Sequence, residues 1–470
     1  MRLRAISLTF WVSASAAILA QSTPYPVYET DTLPPDEFRA RRQEVKKAMG
    51  PGSLAVLFTN PTRNRNNDVD FVFRGDSNFL YLTGFEEPDA ALILAPDGFE
   101  LGGRTVTEVL FVNEANSFSL TWEGYRMGSE NVRTLLGVEA AAPNSEFQKV
   151  LQLAAGAASQ RKLSVSVPPQ ATGGGLGRMI TQFETWRGGA AFGSGVNLRQ
   201  KLSAMRGVKS PREIELIRKA AEISALAHVE AMRSIEPGMR EWHISALVQY
   251  VFAREGCEYP GYPPIVGSGP NSTILHYQSN RRKTELGDMI CMDTAGEYHG
   301  YSADVTRSFP VGGKFSPEQR AIYEVVLAAQ EAGIAACKPG GNPGSVGSVV
   351  SQKLAEGLIA LGLIESAREL NRYYMHGFGH GIGLDVHDPL PGTFVPGVCL
   401  TVEPGIYIKE GSPCDKKWWN IGIRIEDDIL VSESGPVNLS KDAPRTIADI
   451  ERLMAEKGLG NVESKPWKRP

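Results

Sequence analysis

One segment of thirteen residues constrains this chain more than any other. It runs from Met375 to His387, reads MHGFGHGIGLDVH, and holds three of the seven histidines of the chain together with four glycines. Glycine lets the backbone approach closely and adopt dihedrals that other residues avoid, so the segment predicts a loop wrapped around something small. A helix is disfavoured here because each glycine would cost it about 1 kcal/mol relative to alanine.

Two pairs of acidic residues accompany this segment in the sequence. Strand-like runs end in Asp293 and in Glu403, and each is followed, after a turn, by a second strand that carries Asp304 or Glu426. Carboxylates on adjacent antiparallel strands can face one another on the same side of a sheet. Alternation along the last strand puts its isoleucines on a core face, which leaves Arg424 and Glu426 pointing into a cleft.

Four carboxylates in one cleft would repel each other and lose hydration, which costs several kcal/mol per ion unless cations compensate. Two divalent cations would balance the four negative charges, and His380 would add a single nitrogen ligand. An oxygen-rich set with one imidazole favours Mn²⁺ over a nitrogen- or sulfur-dominated zinc site, with Zn²⁺ and Co²⁺ as alternatives. Metals paired about 3.5–4 Å apart can share a hydroxide and clamp a hydrolytic transition state, so the residues predict a two-metal hydrolytic site.

The second half of the chain contains an internal duplication. Ser210-Pro-Arg-Glu213 and, about a hundred residues later, Ser316-Pro-Glu-Gln319 are capping boxes with proline at the first helical position, and each opens a long helix. Each helix ends near a Pro-Gly pair, and a second helix and an acidic hairpin follow. Two such halves facing each other would bring both acid pairs to one central cleft.

A chain of 470 residues is too long for one ordinary core, and two domains are expected with a boundary near 207/208. The part before this boundary has α/β patterning. A net charge of −4 and a pI near 6.1 argue against nucleic acid as a partner. The predicted elements are a helix over 36–49, strands over 53–58, 78–85, 90–95 and 108–112, and a surface loop at glycines 173, 174, 175 and 177.

Both ends of the chain differ from the rest. Residues 1–20 combine two early arginines with an apolar run and predict a signal peptide for export, either periplasmic or secreted, without stable membrane insertion after cleavage. Residues 21–35 predict an extended leader, and 451–470 a polar tail. The five cysteines have no CxxC spacing, and Cys291 and Cys399 in apolar runs are expected to be buried thiols.

The glycine- and histidine-rich run, the four acids and Arg424-Ile425-Glu426 together resemble the pita-bread metallopeptidases, most closely the aminopeptidase P family. Residues 74–88 also resemble that family's N-terminal domain. The similarity covers about residues 36–445. It implies an α/β N-terminal domain over 36–207, followed by an α+β pita-bread (creatinase/aminopeptidase) catalytic domain with internal duplication over 208–450.

The resemblance also implies a role for each matching residue. Glu403 would accept the proton of the attacking water and then donate one to the leaving nitrogen. His376 and His387 would steady the substrate and the tetrahedral oxyanion. His276, Arg424 and Tyr262 match substrate-contacting or cleft residues, and Trp122 resembles an aromatic residue lent by a neighbouring subunit. The implied metal ligands are Asp293, Asp304, His380, Glu403 and Glu426, with Asp304 and Glu426 bridging the two metals.

The implied activity is that of an Xaa-Pro aminopeptidase acting on peptides with an N-terminal Xaa-Pro, in a dimer or tetramer of identical chains. A prolidase, which cleaves only Xaa-Pro dipeptides, shares all five ligands and is the nearest alternative; a methionine aminopeptidase fits an exported chain poorly. A catalytically inactive peptide-binding module and a metal-free creatine-hydrolysing relative are alternatives of another kind, but both lose ligands that this chain keeps.

The remaining histidines lie outside these motifs. His228 and His243 fall on predicted helices and are interpreted as structural or surface residues, and His299 in a hairpin turn is expected to be solvent-exposed. Trp418 and Trp419 are expected to pack against the protein interior.

Overall fold

The computed structural model describes residues 25–168 and 174–461, in two domains. The predicted signal peptide, residues 21–24 of the predicted leader, residues 169–173 and the last nine residues lie outside these ranges. The N-terminal domain is built around a mixed sheet of six strands in the order β6-β5-β4-β1-β7-β8. Its strands are β1 (Ser53–Phe58), β2 (Asn64–Asn66), β3 (Val69–Asp70), β4 (Ala91–Leu101), β5 (Arg104–Val112), β6 (Ala141–Pro143), β7 (Lys162–Ser166) and β8 (Gly193–Ser194), of which β2 and β3 form a separate hairpin. Its helices are α1 (Pro35–Met49), α2 (Ser77–Thr83), α3 (Ser117–Trp122), α4 (Gly128–Leu136), α5 (Phe147–Ala157), α6 (Gly174–Gly189) and α7 (Leu198–Arg206).

The catalytic half repeats one unit, as the sequence predicted. In each repeat two helices precede an antiparallel three-stranded sheet, β10-β11-β14 in the first and β15-β18-β19 in the second. The helices are α8 (Pro211–Ser234), α9 (Glu241–Arg254), α10 (Pro317–Ala336), α11 (Pro343–Ala360) and α12 (Ile447–Leu453). The strands are β9 (Tyr259–Pro260), β10 (Ile265–Ser268), β11 (Met289–Asp293), β12 (Gly296–Tyr298), β13 (Tyr301–Ser302), β14 (Thr306–Pro310), β15 (Cys399–Val402), β16 (Gly405–Ile408), β17 (Ile421–Arg424), β18 (Asp427–Ser432) and β19 (Gly435–Asn438).

Both predicted capping boxes are present and begin the paired helices α8 and α10. Glu213 N donates to Ser210 Oγ at 3.2 Å, and Ser210 N donates to Glu213 Oε2 at 2.9 Å. Ser316 and Gln319 make the same reciprocal pair. A local signal that satisfies two otherwise orphaned backbone donors therefore sets the start of each long helix.

The two domains share a hydrophobic core. Leu80 and Phe85 of the N-terminal domain pack in one buried cluster with Leu216 of α8 and with Ile382 and Leu384 of the histidine loop. The predicted boundary at 207/208 falls in the short segment between α7 and α8. The packing therefore places this segment, and the N-terminal domain behind it, directly against the loop that carries the histidines.

The expected strand over 78–85 is a helix instead, α2. Asp76 caps it by accepting a hydrogen bond from Phe79 N at 2.9 Å, and Gly84, with φ of 67°, ends it. Residues 79–83 are buried on every side, so the run lacks the one-sided pattern of a surface helix and resembles a buried strand.

The glycine-rich segment expected to form a surface loop is the first turn of α6 wherever the structure describes it. Asp89 accepts hydrogen bonds from the backbone of Gly175 (3.2 Å) and Leu176 (2.8 Å) and so supplies the cap. The capping residue lies 86 positions away in sequence from Gly175, so no local pattern could reveal it.

The predicted polar tail from 451 starts too early. Helix α12 continues to Leu453, which is buried, and the segment up to Asn461 is fastened to α8. Gly460 N donates to Ser234 Oγ at 2.9 Å, and Leu459 N donates to Glu230 Oε2 at 3.0 Å. Residues 451–461 therefore belong to the catalytic domain. Among the described helices, none has the length and apolar composition that a membrane span requires.

Candidate metal centre

The two repeats meet at Thr306, and this contact brings their acids together. Asp293 ends β11 and pairs with Thr306 across the hairpin, while Asp304 lies just before β14. Glu426, between β17 and β18, donates its backbone N–H to Thr306 O at 3.0 Å. Thr306 Oγ1 in turn donates to Glu426 Oε2 at 2.6 Å. Carboxylates from both halves consequently converge at the centre of the domain.

The histidine loop lies alongside β15, and this contact places His380 beside Glu403. Thr401 N donates to His380 O at 2.8 Å, and Glu403 N donates to Phe378 O at 2.8 Å. The approach requires glycine at 379, because a Cβ there would lie 2.0 Å from Thr401 O. The prediction of a loop in close backbone contact is therefore confirmed for this segment.

All five sequence-predicted ligands lie at this centre. His380 Nε2 is 3.4 Å from Asp304 Oδ2 and 3.6 Å from Glu403 Oε1. Ligand atoms of Asp304, His380 and Glu426 all lie within 4.8 Å of one another. Asp293 joins the group through Tyr262, whose hydroxyl lies within hydrogen-bond distance of both Asp293 and Asp304 and can donate its proton to either.

Burial and mutual repulsion disfavour negative charge on Glu426, Glu403 and Asp304. Burial and then the charges of Asp304 and Glu403 raise the pKa of Glu426 well above its usual range. Burial, with further contributions from the charges of Asp304 and Asp293, raises the pKa of Glu403 to about 7 despite the opposing charges of His380 and Arg424. Two divalent cations would compensate the negative charges of four carboxylates placed in this way. The donor set, four carboxylates and one imidazole, fits two such cations.

The orientation of His380 fits a metal ligand as well. Its Nδ1 lies 3.0 Å from Gly381 O, so Nδ1–H donates to the backbone and Nε2 faces the carboxylates. Burial opposes a charged ring, but the hydrogen bond and charge of Asp304 and the charge of Glu403 prevail and raise the pKa of His380 to about 9. A nitrogen that attracts a proton this strongly is equally suited to hold a cation.

Arg424 organises the opposite wall of the centre. Its guanidinium contacts Asp293 Oδ2 at 2.5 Å, Thr306 Oγ1 at 3.0 Å and Tyr407 Oη at 3.0 Å. Tyr407 Oη lies 2.8 Å from His376 Nε2, while His376 Nδ1 donates to Gly377 O at 2.8 Å. Burial and then the charge of Arg424 lower the pKa of His376 to about 4, so the ring is neutral and accepts the tyrosine proton.

Sequence reasoning missed Tyr407, Thr306 and Asp428. Tyr407 reaches Arg424 across Gly405, where a Cβ would lie 2.4 Å from the tyrosine hydroxyl. The sequence did contain a signal for this contact: Gly405 pairs with Arg424, and an aromatic residue follows two positions later on the same strand. Asp428 accepts a hydrogen bond from Asp304 N at 3.1 Å and thus fixes the backbone of a predicted ligand.

The other candidate residues lie around the rim or away from the centre. His387 is exposed, and its ring lies 3.9 Å from that of His380. His276 is also exposed, and its charge helps to lower the pKa of His376 and of His387, after burial as the main cause. Trp122, at the end of α3, is 75% exposed, and its ring centroid lies 6.2 Å from that of Phe118.

The other expectations for buried and packing residues are largely confirmed. His228 is fully buried, with Nε2 3.1 Å from Thr294 O and 3.0 Å from Val305 O, and it ties down the loop between two ligands. His243 is exposed on α9. Cys291 and Cys399 are buried free thiols. Trp418 and Trp419 are half-buried against the core of the catalytic domain.

The expectation that His299 is solvent-exposed is wrong. Its side chain is 7% exposed, and the leader covers it: Nε2 lies 3.0 Å from Asp31 Oδ1, and Nδ1 lies 3.4 Å from Glu258 Oε1 and 3.5 Å from Glu29 Oε2. The turn position indicated exposure, and the covering leader is remote in sequence. Burial works against the charged ring, but hydrogen bonds to Glu258 and Asp31 and their charges raise the pKa of His299 to about 9.

We expect His299→Asn to lower the melting temperature at pH 6.5 and to have less effect at pH 10. The pKa of about 9 in the folded state exceeds the unfolded value of about 6.5, so the stabilisation is complete below the unfolded value and is lost as the pH rises through 9. Asparagine tolerates the φ of 47° at this turn. Thermal unfolding at both pH values checks this, with His243→Asn as the exposed control; an equal loss at both would contradict it.

Two family models match the chain. The model of the aminopeptidase P N-terminal domain matches residues 38–163, and that of metallopeptidase family M24 matches residues 215–433. An Xaa-Pro aminopeptidase of Haemophilus influenzae is 36% identical over 90% of this chain and 98% of its own length. An Xaa-Pro aminopeptidase of Escherichia coli is 36% identical over 89% of this chain and 97% of its own length. The solved structure of a Pseudomonas aeruginosa aminopeptidase superimposes with a TM-score of 0.84 and 35% identity, covering 91% of this chain and 99% of that one.

Proposed function

This chain belongs to metallopeptidase family M24, in its aminopeptidase P branch, and we propose that it releases the first residue from peptides whose second residue is proline. It is a metal-dependent aminopeptidase with the N-terminal domain of aminopeptidase P followed by the pita-bread catalytic domain. The observation that carries the proposal is the convergence of Asp304, His380, Glu403 and Glu426, contributed by both repeats, within one cluster.

We assign the two metals to the five converging side chains. Asp304 and Glu426, which lie where the repeats meet, would hold the pair together with Asp293, His380 and Glu403. Divalent cations bound there lower the pKa of the attacking water and stabilise the charge that develops on the scissile carbonyl oxygen. We propose Mn²⁺, because four of the five donors are carboxylates and the only nitrogen donor is His380.

Glu403 is the residue proposed to move the proton. It follows β15 at the cluster, and its two oxygens face different histidines: Oε1 lies 3.6 Å from His380 Nε2, and Oε2 lies 3.6 Å from His376 Nδ1. A carboxylate placed there can take a proton from water on one side and return it to the leaving nitrogen on the other.

The neutral histidine and its partners would hold the substrate. His376 is oriented by the Tyr407 hydroxyl, which Arg424 in turn fixes against Asp293. His387 and His276 are exposed near the centre, and the resemblance implies that the tetrahedral oxyanion and the peptide would lie beside them. The Tyr262 hydroxyl lies between two of the proposed ligand carboxylates, Asp293 and Asp304, and would orient them by donating its proton to one of the two.

Proline at the second position has a physical rationale. The nitrogen of an Xaa-Pro bond carries no hydrogen, so an enzyme that depends on an N–H contact there loses it. The rigid ring enters a preformed pocket with little loss of conformational entropy. A site that recognises the ring would consequently gain affinity from a residue that other aminopeptidases reject.

A series of peptides tests this function against prolidase activity. We expect Xaa-Pro-Yaa tripeptides to be cleaved efficiently, and Xaa-Ala-Yaa peptides to lose about 10- to 200-fold in kcat/KM, because alanine leaves the ring pocket partly empty. Steady-state rates on Xaa-Pro, Xaa-Pro-Yaa and Xaa-Ala-Yaa make the comparison. Cleavage of dipeptides alone would show that the chain is a prolidase, and equal rates on alanine and proline peptides would contradict proline specificity.

We also propose that the chain works as a homo-oligomer. Phe118, Leu120, Trp122 and Tyr125 are all exposed within eight residues of the N-terminal domain. Exposed apolar groups concentrated in this way favour association. A neighbouring copy packed on this face would bring Trp122 toward another subunit's site, as the resemblance implies.

Export is proposed from the sequence. Residues 1–20 have the charged start and short apolar run of a secretory signal, and a proline-rich stretch follows. The enzyme would then act on peptides outside the cytoplasm, in the periplasm or the medium.

A further inference from the structure

The imidazole of His387 has no hydrogen-bond partner of its own among the described residues, and its ring lies 3.9 Å from that of His380. Its placement therefore depends on the backbone turn that carries it. That turn is closed locally: Asp388 N donates to Gly381 O at 2.9 Å, and Gly383 N donates to Asp385 O at 3.1 Å. What anchors the turn to the rest of the protein decides where His387 points.

The anchor is a buried ion network. Asp388, whose side chain is 1% exposed, contacts Lys209 Nζ at 3.0 Å and is also bound by Arg206. Lys209 is likewise 1% exposed and Arg206 5%. Asp388 further accepts a hydrogen bond from Asp385 N at 3.2 Å. A buried carboxylate paired with two buried cations cannot move without leaving a charge uncompensated, so the network is rigid.

Both cations come from the segment that joins the domains. Arg206 ends α7, and Lys209 precedes α8, with its backbone N–H donated to Gly397 O at 2.9 Å. The N-terminal domain contributes as well, since Arg206 donates to Asn78 Oδ1 at 2.8 Å and Ser77 Oγ donates to Asp385 Oδ1 at 2.6 Å. The histidine turn is thus held from outside the catalytic repeats.

We propose that Lys209 and Arg206 are positioning residues that hold His387 over the reacting carbonyl through Asp388. The inference rests on the proposed role of His387 at the oxyanion. This explains how an exposed histidine can act with defined geometry. The imidazole of His387 itself is not hydrogen-bonded among the described residues, but the neighbouring Asp388 is held by ion pairs. It also gives the N-terminal domain a direct part in aligning the site.

The test is a double-mutant cycle between Lys209→Met and His387→Ala. Substitution of a residue that orients a catalytic group lowers activity by about 10- to 100-fold, and we expect Lys209→Met to lose this much in kcat with KM nearly unchanged. When Lys209→Met is combined with His387→Ala, we expect no loss of kcat beyond that of His387→Ala alone. Lys209→Arg, which keeps the charge, is expected to recover activity. Lys201→Met, which removes an ion pair between Lys201 of α7 and Glu44 of α1, is expected to match the unmutated enzyme.

Metal content and secondary structure are measured on every variant, and Asp388→Asn replaces Lys209→Met in the cycle if that variant does not fold. Losses that multiply, or a lower metal content in Lys209→Met, would overturn the inference in favour of a general structural role. Full activity of Lys209→Met beside an impaired His387→Ala would also overturn it. Full activity of His387→Ala would instead refute the proposed role of that histidine.

Discussion

Glu403→Gln is expected to fold normally and to lose about 10³-fold or more in kcat, because glutamine can neither accept the proton of the attacking water nor return one to the leaving nitrogen. The change keeps the shape of the side chain and one oxygen. It also preserves the backbone contact to Phe378 O that positions residue 403. The loss therefore reports on the proton and the ligand charge rather than on the fold.

Steady-state kinetics on an Xaa-Pro-Yaa peptide, with melting temperature and metal content measured in parallel, make the comparison. Glu356→Gln provides the matched control, since Glu356 is exposed on α11 and pairs only with neighbouring side chains of its own helix. That variant should retain full activity. Near-normal turnover in Glu403→Gln would refute the assignment of proton transfer to this residue.

Removal of the metals is expected to abolish activity and to destabilise the enzyme more at pH 8 than at pH 5.5. Saturation of one site at a hundred times its dissociation constant contributes about 2.7 kcal/mol, or about 5–10 °C in melting temperature for a domain of this size. In the metal-free protein this contribution is lost, and the repulsion among the buried carboxylates is no longer compensated.

The pH dependence follows from the direction of the pKa shifts. Glu403, with a pKa of about 7, and Glu426 and Asp304, whose pKa values burial and neighbouring charges also raise, bind protons more tightly folded than unfolded. Their stabilising contribution is complete below the unfolded pKa of about 4 and is lost as the pH rises through the folded values. The metal-free protein should therefore melt at a lower temperature as the pH rises.

Thermal unfolding of the metal-free and metal-loaded protein across this pH range checks the expectation. Metal-free Glu426→Gln is the informative comparison, because the removal of one repelling charge should weaken the pH dependence. A metal-free protein that is as stable at pH 8 as at pH 5.5 would show that the acids do not repel each other as the structure indicates.

The part of the site that could be predicted from sequence was the part encoded locally. Capping boxes at Ser210 and Ser316, and acids that recur at equivalent points of two repeats, are short-range patterns with a direct structural meaning. The glycines at 377, 379, 381 and 383 similarly indicate close backbone contact. Gly379 makes such a contact, because its backbone packs directly against Thr401.

Several errors have the opposite origin, since they depend on partners distant in sequence. Asp89 caps the first turn of α6, and the leader covers His299. Arg206 and Lys209, in the segment between the domains, hold the turn that carries His387. Helix α2 was missed because burial on all sides removes the periodicity that distinguishes a helix from a strand. Tertiary contacts decide such positions, and a single sequence does not display them.

The central claim is that this fold tolerates a cluster of buried carboxylates because two cations neutralise their charge. The number of metal ions bound per chain tests this claim most directly. Metal-free enzyme titrated with Mn²⁺ should bind two equivalents per chain, and Xaa-Pro-Yaa hydrolysis should rise to its maximum as the second is taken up. Full hydrolytic activity in protein shown by elemental analysis to be free of divalent metal would contradict it.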